Sequence, residues 1–404
     1  MELNSRNNLL FGTSNKSQIA DLLDLILSFA KKLSASDIHF EMQAENLRIR
    51  FRIDGRLFIV ATMPCDIGTY LNSYLKLIAS LDITEKRIPQ DGSILIKKQN
   101  LNLRISTMPV FYGEKIVVRL LGNEQEILPL HKMGFLAENL SLFKNLIHSS
   151  SGIIAITGPV NSGKSTLLYS VLDYLNKNDT NIVTIEDPIE MKLAGVNQTQ
   201  INLKAGMDFA TALRAVLRQD PDILMVGEIR DFESAKEVIR ASLTGHLVLT
   251  TLHTTNAMGV PARLIDMGIN PSMLSISLLA STAQRLIRVI CPHCREEYLP
   301  TSNSLESLVL GNRFYQGMKL YRGKGCSHCH GSGYLGRIAI QEIMAVDDNV
   351  KSLIARGDID LKLKRLLQLN GMKMMLDDGI EKILQGITTV QEVWRALNGV
   401  CKFN

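Results

Sequence analysis

The chain has 404 residues, enough for two or three domains, and its 46% apolar and 21% charged composition is that of an ordinary soluble globular protein. Forty-five basic against 40 acidic side chains leave a net charge of +5, which alone gives no argument for a polyanionic partner. The opening MELNSRNNLLFGTSNKSQ lacks the basic-then-apolar build of a secretory signal, and no apolar run approaches the ~18 residues that cross a bilayer, because Asp21 and Asp24 interrupt IADLLDLILSFA. The expected location is the cytoplasm, with any membrane role reached through a partner.

After a tail over residues 1–16, apolar residues at Leu22, Leu23, Ile26, Leu27, Ala30 and Leu33 fall at helical spacing and predict an amphipathic helix. DIHFE leads into LRIRFRIDGRLFIV, where Leu47, Ile49, Phe51 and Ile53 alternate with arginines. With an Asp54-Gly55 turn this predicts a hairpin. Arg48, Arg50, Arg52 and Arg56 then make one charged face. Without interleaved aromatics it reads as a solvated or subunit-facing surface, and no nucleic acid is expected. SILIKK, LNLRIST and KIVVRLL predict further strands, so residues 17–121 form a small α+β domain. The polar stretch over 122–134 reads as a linker.

From 135 to 404, short apolar runs alternate with helical stretches: GIIAITG, KSTLLYSVLDYL, NIVTIED, DILMVGE and HLVLTTLHT. That texture predicts an α/β domain with helices on both faces of its sheet. A Gly/Cys/His-rich insert spans 291–337, and helices close the chain. There Gly386 suits a helix stop and Thr389-x-x-Glu392 a capping box.

GPVNSGKST follows an apolar strand and precedes a helix, the setting that a phosphate loop requires. Its glycines let backbone N–H groups crowd around phosphate oxygens, and the helix N-terminus adds partial positive charge. The predicted nucleotide-binding residues are Gly158, Pro159, Val160, Asn161, Ser162, Gly163, Lys164, Ser165 and Thr166. Lys164 is expected on the terminal phosphates of ATP, and the Ser165 hydroxyl on Mg²⁺. In DILMVGEIRD an apolar run ends in Glu228, the position of the acid that orders the metal in phosphate-loop ATPases, with Gly227 in place of the more familiar aspartate. TIEDPIE supplies Glu186, the first choice for the base that activates water, and Glu190, the second. His246 and His253 stand at the two ends of one strand-like run, on opposite faces.

ASDIHFE, RIDGRL, EKRIPQDG, RISTMP, GEKIVVRLL, GPVNSGKST, EDPIE, LRQDPDILMVGEIRD, TGHLVLTTLHT and AQRLIR, in order over about 17–400, closely resemble the secretion ATPase superfamily, and most nearly the GspE/PilB family of type II secretion and type IV pilus assembly ATPases. The resemblance implies an N2-like domain followed by a RecA-like ATPase domain, assembled as a homo-hexamer that works on a polytopic inner-membrane platform protein. It makes EDPIE the Asp box and TGHLVLTTLHT the His box. It also makes Arg104 and Arg119 arginines that approach nucleotide phosphates, alongside Lys164, Glu186, Glu228, His246 and His253. Val160-Asn161 departs from the family's usual Thr-Gly. Longer secretion members carry an additional N-terminal domain that docks on a cytoplasmic membrane partner, whereas this sequence begins almost at the N2-like domain.

Cys291-Pro-His-Cys294 and Cys326-Ser-His-Cys329 are two CxxC knuckles able to supply four thiolates to Zn²⁺. Four protein ligands leave no open coordination position, so the metal is expected to be structural. By resemblance, such an element marks assembly and secretion members rather than retraction members.

Overall fold

A computed structural model describes residues 16–99, 101–122, 127–359 and 361–397. The tail expected over 1–16 lies outside them save for Lys16. The chain divides between residues 125 and 126 into two compact units. Among the described residues no helix is long and apolar enough to cross a membrane.

The first unit contains α1 (Lys16–Lys32), β1 (Asp37–Met42), β2 (Asn46–Ile53), β3 (Arg56–Pro64), α2 (Cys65–Ile78), β4 (Gln90–Ile96), β5 (Leu101–Val110) and β6 (Gly113–Gly122). Its sheet has the order β3-β2-β1-β6-β5-β4, with every pair antiparallel. Asp54 and Gly55 both have positive φ (46° and 81°), the two-residue turn that matches strand twist. One sheet face carries Ile38, Phe40, Leu47, Ile49, Phe51, Leu103, Ile105 and Val118 into a core shared with the apolar sides of both helices.

The other face is charged. Arg104, Arg119, Asp37 and Arg52 stand opposite one another in register across β5, β6, β1 and β2. Arg56 does not join this face. It pairs across the hairpin with Ile53, and a register irregularity between Ile49 and Arg50 separates the two ends of the ladder. β1 is buried on both faces, including its polar Asp37, His39 and Glu41. Arg48, Arg50 and Lys115 cover Glu41, and Arg52 and Arg119 cover Asp37.

The second unit begins with α3 (Ala137–Ile147), β7 (Gly152–Thr157), α4 (Lys164–Leu175), β8 (Ile182–Glu186), β9 (Asn197–Gln200), α5 (Phe209–Val216), β10 (Ile223–Val226), α6 (Phe232–Leu243) and β11 (Leu247–Leu252). Next come α7 (Gly259–Asp266), α8 (Pro271–Ser277), β12 (Leu278–Ile290), β13 (Arg295–Tyr298), α9 (Leu305–Leu310), β14 (Leu320–Gly323) and β15 (Tyr334–Ala345). Four helices close the described chain: α10 (Asp348–Arg356), α11 (Leu361–Leu369), α12 (Met375–Leu384) and α13 (Val390–Leu397).

The main sheet runs β15-β12-β7-β11-β10-β8-β9, parallel from β12 to β9 and antiparallel only at β15. Its central strands are buried on both sides, and alternate residues feed two cores. Ile153 and Ala155 of β7 face the core built with α5 and α6, whereas Ile154 and Ile156 face the core built with α3 and α4. This is the fully apolar strand that a sheet sandwiched between helix layers requires. β13 and β14 form a separate two-stranded sheet between the CxxC pairs.

The stretch read as a linker is not loose throughout. Leu130 and Met133 are buried against the α4 side of the sheet. At the other end, Gly386 takes φ 68° and its N–H caps the Ile383 carbonyl, so the predicted helix stop is present. Only half of the capping box forms. Thr389 Oγ1 accepts the Glu392 N–H at 3.3 Å, but the Glu392 carboxylate turns inward to Arg288 and Arg395.

Candidate nucleotide site

Parallel pairing puts the ends of β7, β8, β10 and β11 along one edge of the sheet, and the phosphate loop leaves β7 there. Both of its glycines are sterically required. Gly158 has φ 147°, and a Cβ there would stand 2.5 Å from the Gln284 carbonyl oxygen. Gly163, the residue before α4, has φ 87°, and its Cβ would meet Gln284 Nε2 at 2.9 Å. That amide donates to the Ser162 carbonyl at 2.8 Å, so the buried Gln284 holds the loop from beneath.

Asn161 adopts φ 63°, the left-handed conformation that asparagine tolerates better than most residues. The departure from glycine at this position therefore leaves the turn intact. Pro159, Val160 and Thr166 lie exposed along the loop. Lys164 Nζ donates to the Gly158 and Pro159 carbonyls at 2.8 and 3.0 Å. Burial lowers the pKa of this ammonium, and the nearby Glu228 and Glu190 carboxylates oppose the shift.

The two candidate bases, Glu186 and Glu190, lie in different surroundings. Glu186 ends β8 with a buried carboxylate occupied by three donors: the Tyr169 hydroxyl, Thr184 Oγ1 at 2.6 Å and Gln198 Nε2 at 3.1 Å. Glu190 instead reaches the loop, where its Oε1 accepts from Ser165 Oγ at 3.2 Å. Glu228 lies at the exit of β10, bound by Arg230 Nε at 2.7 Å with His253 Nε2 at 3.5 Å. Arg230 also approaches Asp187 at 3.4 Å, tying the strand ends together. Ser165, Glu190 and Glu228 are hard oxygen donors of the kind that Mg²⁺ prefers.

The histidines separate. His253 follows β11 into the site, whereas His246 precedes it, and six residues of strand put about 20 Å between them. His246 Nδ1 meets the Ala241 carbonyl at 2.9 Å and the Thr244 hydroxyl at 3.1 Å, closing the end of α6. The structure does not bring His246 to the phosphate loop. In the first unit, Arg119 donates to Asp37 at 2.9 Å. Arg104 beside it is exposed and has no ion-pair partner among the described residues.

Sequence reasoning did not single out Gln284, Tyr169 or Arg230. A glutamine inside an apolar strand and a hydroxyl one turn after Ser165 were the available signals.

The four cysteine sulfurs, from Cys291, Cys294, Cys326 and Cys329, lie within 4.8 Å of one another. Measured separations are 3.9 Å for 291–326, 3.7 Å for 294–329 and 3.7 Å for 326–329. Tetrahedral Zn–S bonds of about 2.3 Å require S···S distances of about 3.8 Å, so the cage fits zinc. Backbone N–H groups of Gly325, Cys326 and Gly333 point at these sulfurs from 3.2–3.3 Å, as thiolates require. The His293 and His328 rings stack on each other at 3.9 Å rather than entering the cage.

The chain matches the family described as Type II/IV secretion system protein over residues 13–395. It belongs to that family. Type II secretion system protein E of Dickeya dadantii is 45% identical over 98% of this chain and 78% of its own length. The type IV pilus assembly ATPase PilB of Thermus thermophilus is also 45% identical, over 89% of this chain but 41% of its own length. Among solved structures, the pilus retraction motor PilT with bound ADP superposes with a TM-score of 0.62 at 26% identity, covering 92% of this chain and 95% of that one. The ATPase DotB of Legionella pneumophila shares the fold, with a TM-score of 0.68 at 23% identity over 94% of this chain and 96% of its own.

Proposed function

We propose that this family member is an ATP-hydrolysing motor of pilus or pseudopilus assembly and type II secretion, working in the cytoplasm at the inner membrane. The observation that carries the chemistry is the meeting of Ser165 and Glu190 at the mouth of the phosphate loop, with Glu228 on the neighbouring strand end. Lys164 would leave its loop carbonyls for the β- and γ-phosphates. Ser165, with Glu228 directly or through water, would hold Mg²⁺, which neutralises charge developing on the transferred phosphoryl. Glu190 orients the attacking water and takes its proton, because it is the carboxylate with a free path to the loop. Glu186 supports it from within. His253 orients Glu228, and His246 serves the fold alone.

The exposed Arg104, and Arg119 on release from Asp37, are suited to reach a neighbouring subunit's nucleotide in a homo-hexamer. An arginine delivered to the transition state is worth roughly 10³–10⁵ in rate, which would couple hydrolysis to subunit position. The tetracysteine cage, loaded with structural zinc, favours assembly or secretion over retraction. A polytopic platform protein would receive the motion, and a cytoplasmic-domain membrane partner would recruit the motor.

ATPase assays on Lys164→Ala and Glu190→Gln test this reading. Loss of ATP binding in the first, and loss of turnover with binding kept in the second, is expected. Wild-type turnover in both would refute it. Stimulation by platform-protein fragments rather than by DNA separates the motor from a nucleic-acid translocase, whose activity would fall steeply with salt.

A further inference from the structure

The loop over 187–193 belongs to no helix or strand, yet it carries Glu190. A loop without ladder bonds must find other partners for its backbone groups or leave them unpaired. Here three side chains supply partners, of which Gln200 accepts the Ile189 N–H at 3.3 Å. The Tyr169 hydroxyl accepts the N–H groups of Glu190 and Met191, both at 3.2 Å, while donating to the buried Glu186 carboxylate. Gln198 donates to the Met191 carbonyl at 2.9 Å and accepts the Leu193 N–H at 2.7 Å.

Tyr169 also lies one turn after Ser165 on α4, and residues four apart share a helix face. One face of the phosphate-loop helix thus holds Glu190 twice: Ser165 takes its carboxylate and Tyr169 its backbone. We infer that Tyr169 is a positioning residue for ATP hydrolysis, setting the Glu190 carboxylate against the phosphate loop through a hydroxyl that Glu186 orients. This rests on the reading of Glu190 as the base. It also gives the buried Glu186 carboxyl group a part to play: it is the acceptor that turns the phenol's lone pairs toward the loop. Burial and the neighbouring Glu186 carboxylate both raise the phenol's pKa, so it remains a donor at every working pH. The ring itself packs in the apolar core beside Leu168 and Leu172, so removing the oxygen alone leaves the packing in place.

The test is Tyr169→Phe in the assembled full-length motor, alone and combined with Glu190→Gln. A misplacement of about 1 Å in a reacting group costs about 10²-fold, so kcat should fall 10- to 100-fold with the KM for ATP within about twofold of wild type. In the Glu190→Gln background the second substitution should cost nothing further, because it acts through a group already disabled. Hydrogen exchange should show lost protection at the Glu190 and Met191 amides. Unchanged kcat in Tyr169→Phe, a full additional loss in the double variant, or an equal loss of ATP binding would each overturn the inference. Full activity in Glu190→Gln alone would instead overturn the base assignment on which it rests. Should the phenylalanine variant fail to fold, Gln198→Met, which frees the Met191 carbonyl, takes its place. The same kcat-only loss is expected there, and wild-type kcat would overturn the proposal.

Discussion

Gly163→Ala perturbs the phosphate loop at a point where the cost follows from the coordinates. Gly163 sits at φ 87°, and a Cβ there would lie 2.9 Å from Gln284 Nε2. Holding an L-residue in the left-handed region costs about 1–2 kcal/mol. Displacing the Gln284 amide costs a further 1–2 kcal/mol or so, since it leaves the Ser162 carbonyl without its buried donor. A total of about 2–4 kcal/mol falls on the conformation that aims backbone N–H groups at phosphate, which corresponds to a rise in the Kd for ATP of about 25-fold or more. Titration with a fluorescent ATP analogue measures it. Gly206→Ala is the control: it has φ 78° with nothing within 4 Å of the added Cβ, so it suffers the strain without the clash and lies outside the site. Its Kd should stay within about twofold of wild type. If Gly163→Ala also binds ATP with wild-type affinity, the steric account of the cradle is wrong.

His246→Ala should keep kcat within about twofold, and His253→Ala should lower it about tenfold, because only the latter ring touches Glu228. Metal analysis of protein purified without chelator should find one zinc per chain. Stripping it, or Cys329→Ser, should lower the melting temperature. Glu392 is 2% exposed, and although burial works against it, Arg288 and Arg395 hold its carboxyl at about 2 instead of its ordinary 4.5. Because the folded value is the lower one, the stabilisation, roughly 3 kcal/mol, is complete above about pH 5 and lost as pH falls toward 2. Urea unfolding from pH 7 to pH 3 should show this slope, and Glu392→Gln should flatten it while destabilising the protein by about 3–5 kcal/mol at pH 7 through the unpaired Arg288.

Much of the second unit was legible because its strands are buried on both faces, and each apolar run ends in a polar residue that the sheet edge presents. β12 and β15 escaped notice. Their polar Gln284, Gln341 and Glu342 look like breaks in an apolar pattern, yet all three are buried and bound within the fold. The surroundings of the two candidate bases are a distinction that spacing does not encode. Glu186 and Glu190 belong to one acidic cluster in the sequence, but Glu186 ends β8 enclosed by Tyr169, Thr184 and Gln198, whereas Glu190 follows in a loop and meets Ser165. Similarly, alternation placed Arg48, Arg50 and Arg52 on one side of the hairpin, but the two-residue Asp54-Gly55 turn pairs Arg56 with Ile53 and so puts it on the other.

The cationic side of the first unit looks like a surface for capturing something, yet most of it already has an occupation. Arg48, Arg50, Lys115, Arg52 and Arg119 form a roof over Glu41 and Asp37, two anions sunk in the sheet's interior strand. Trimming any of these cations strips cover from a submerged negative charge, so the damage would register first in folding and only afterwards in whatever the surface contacts. Arg104, opposite Arg119 in the register, takes no part in that shelter, so its removal should leave both submerged carboxylates covered.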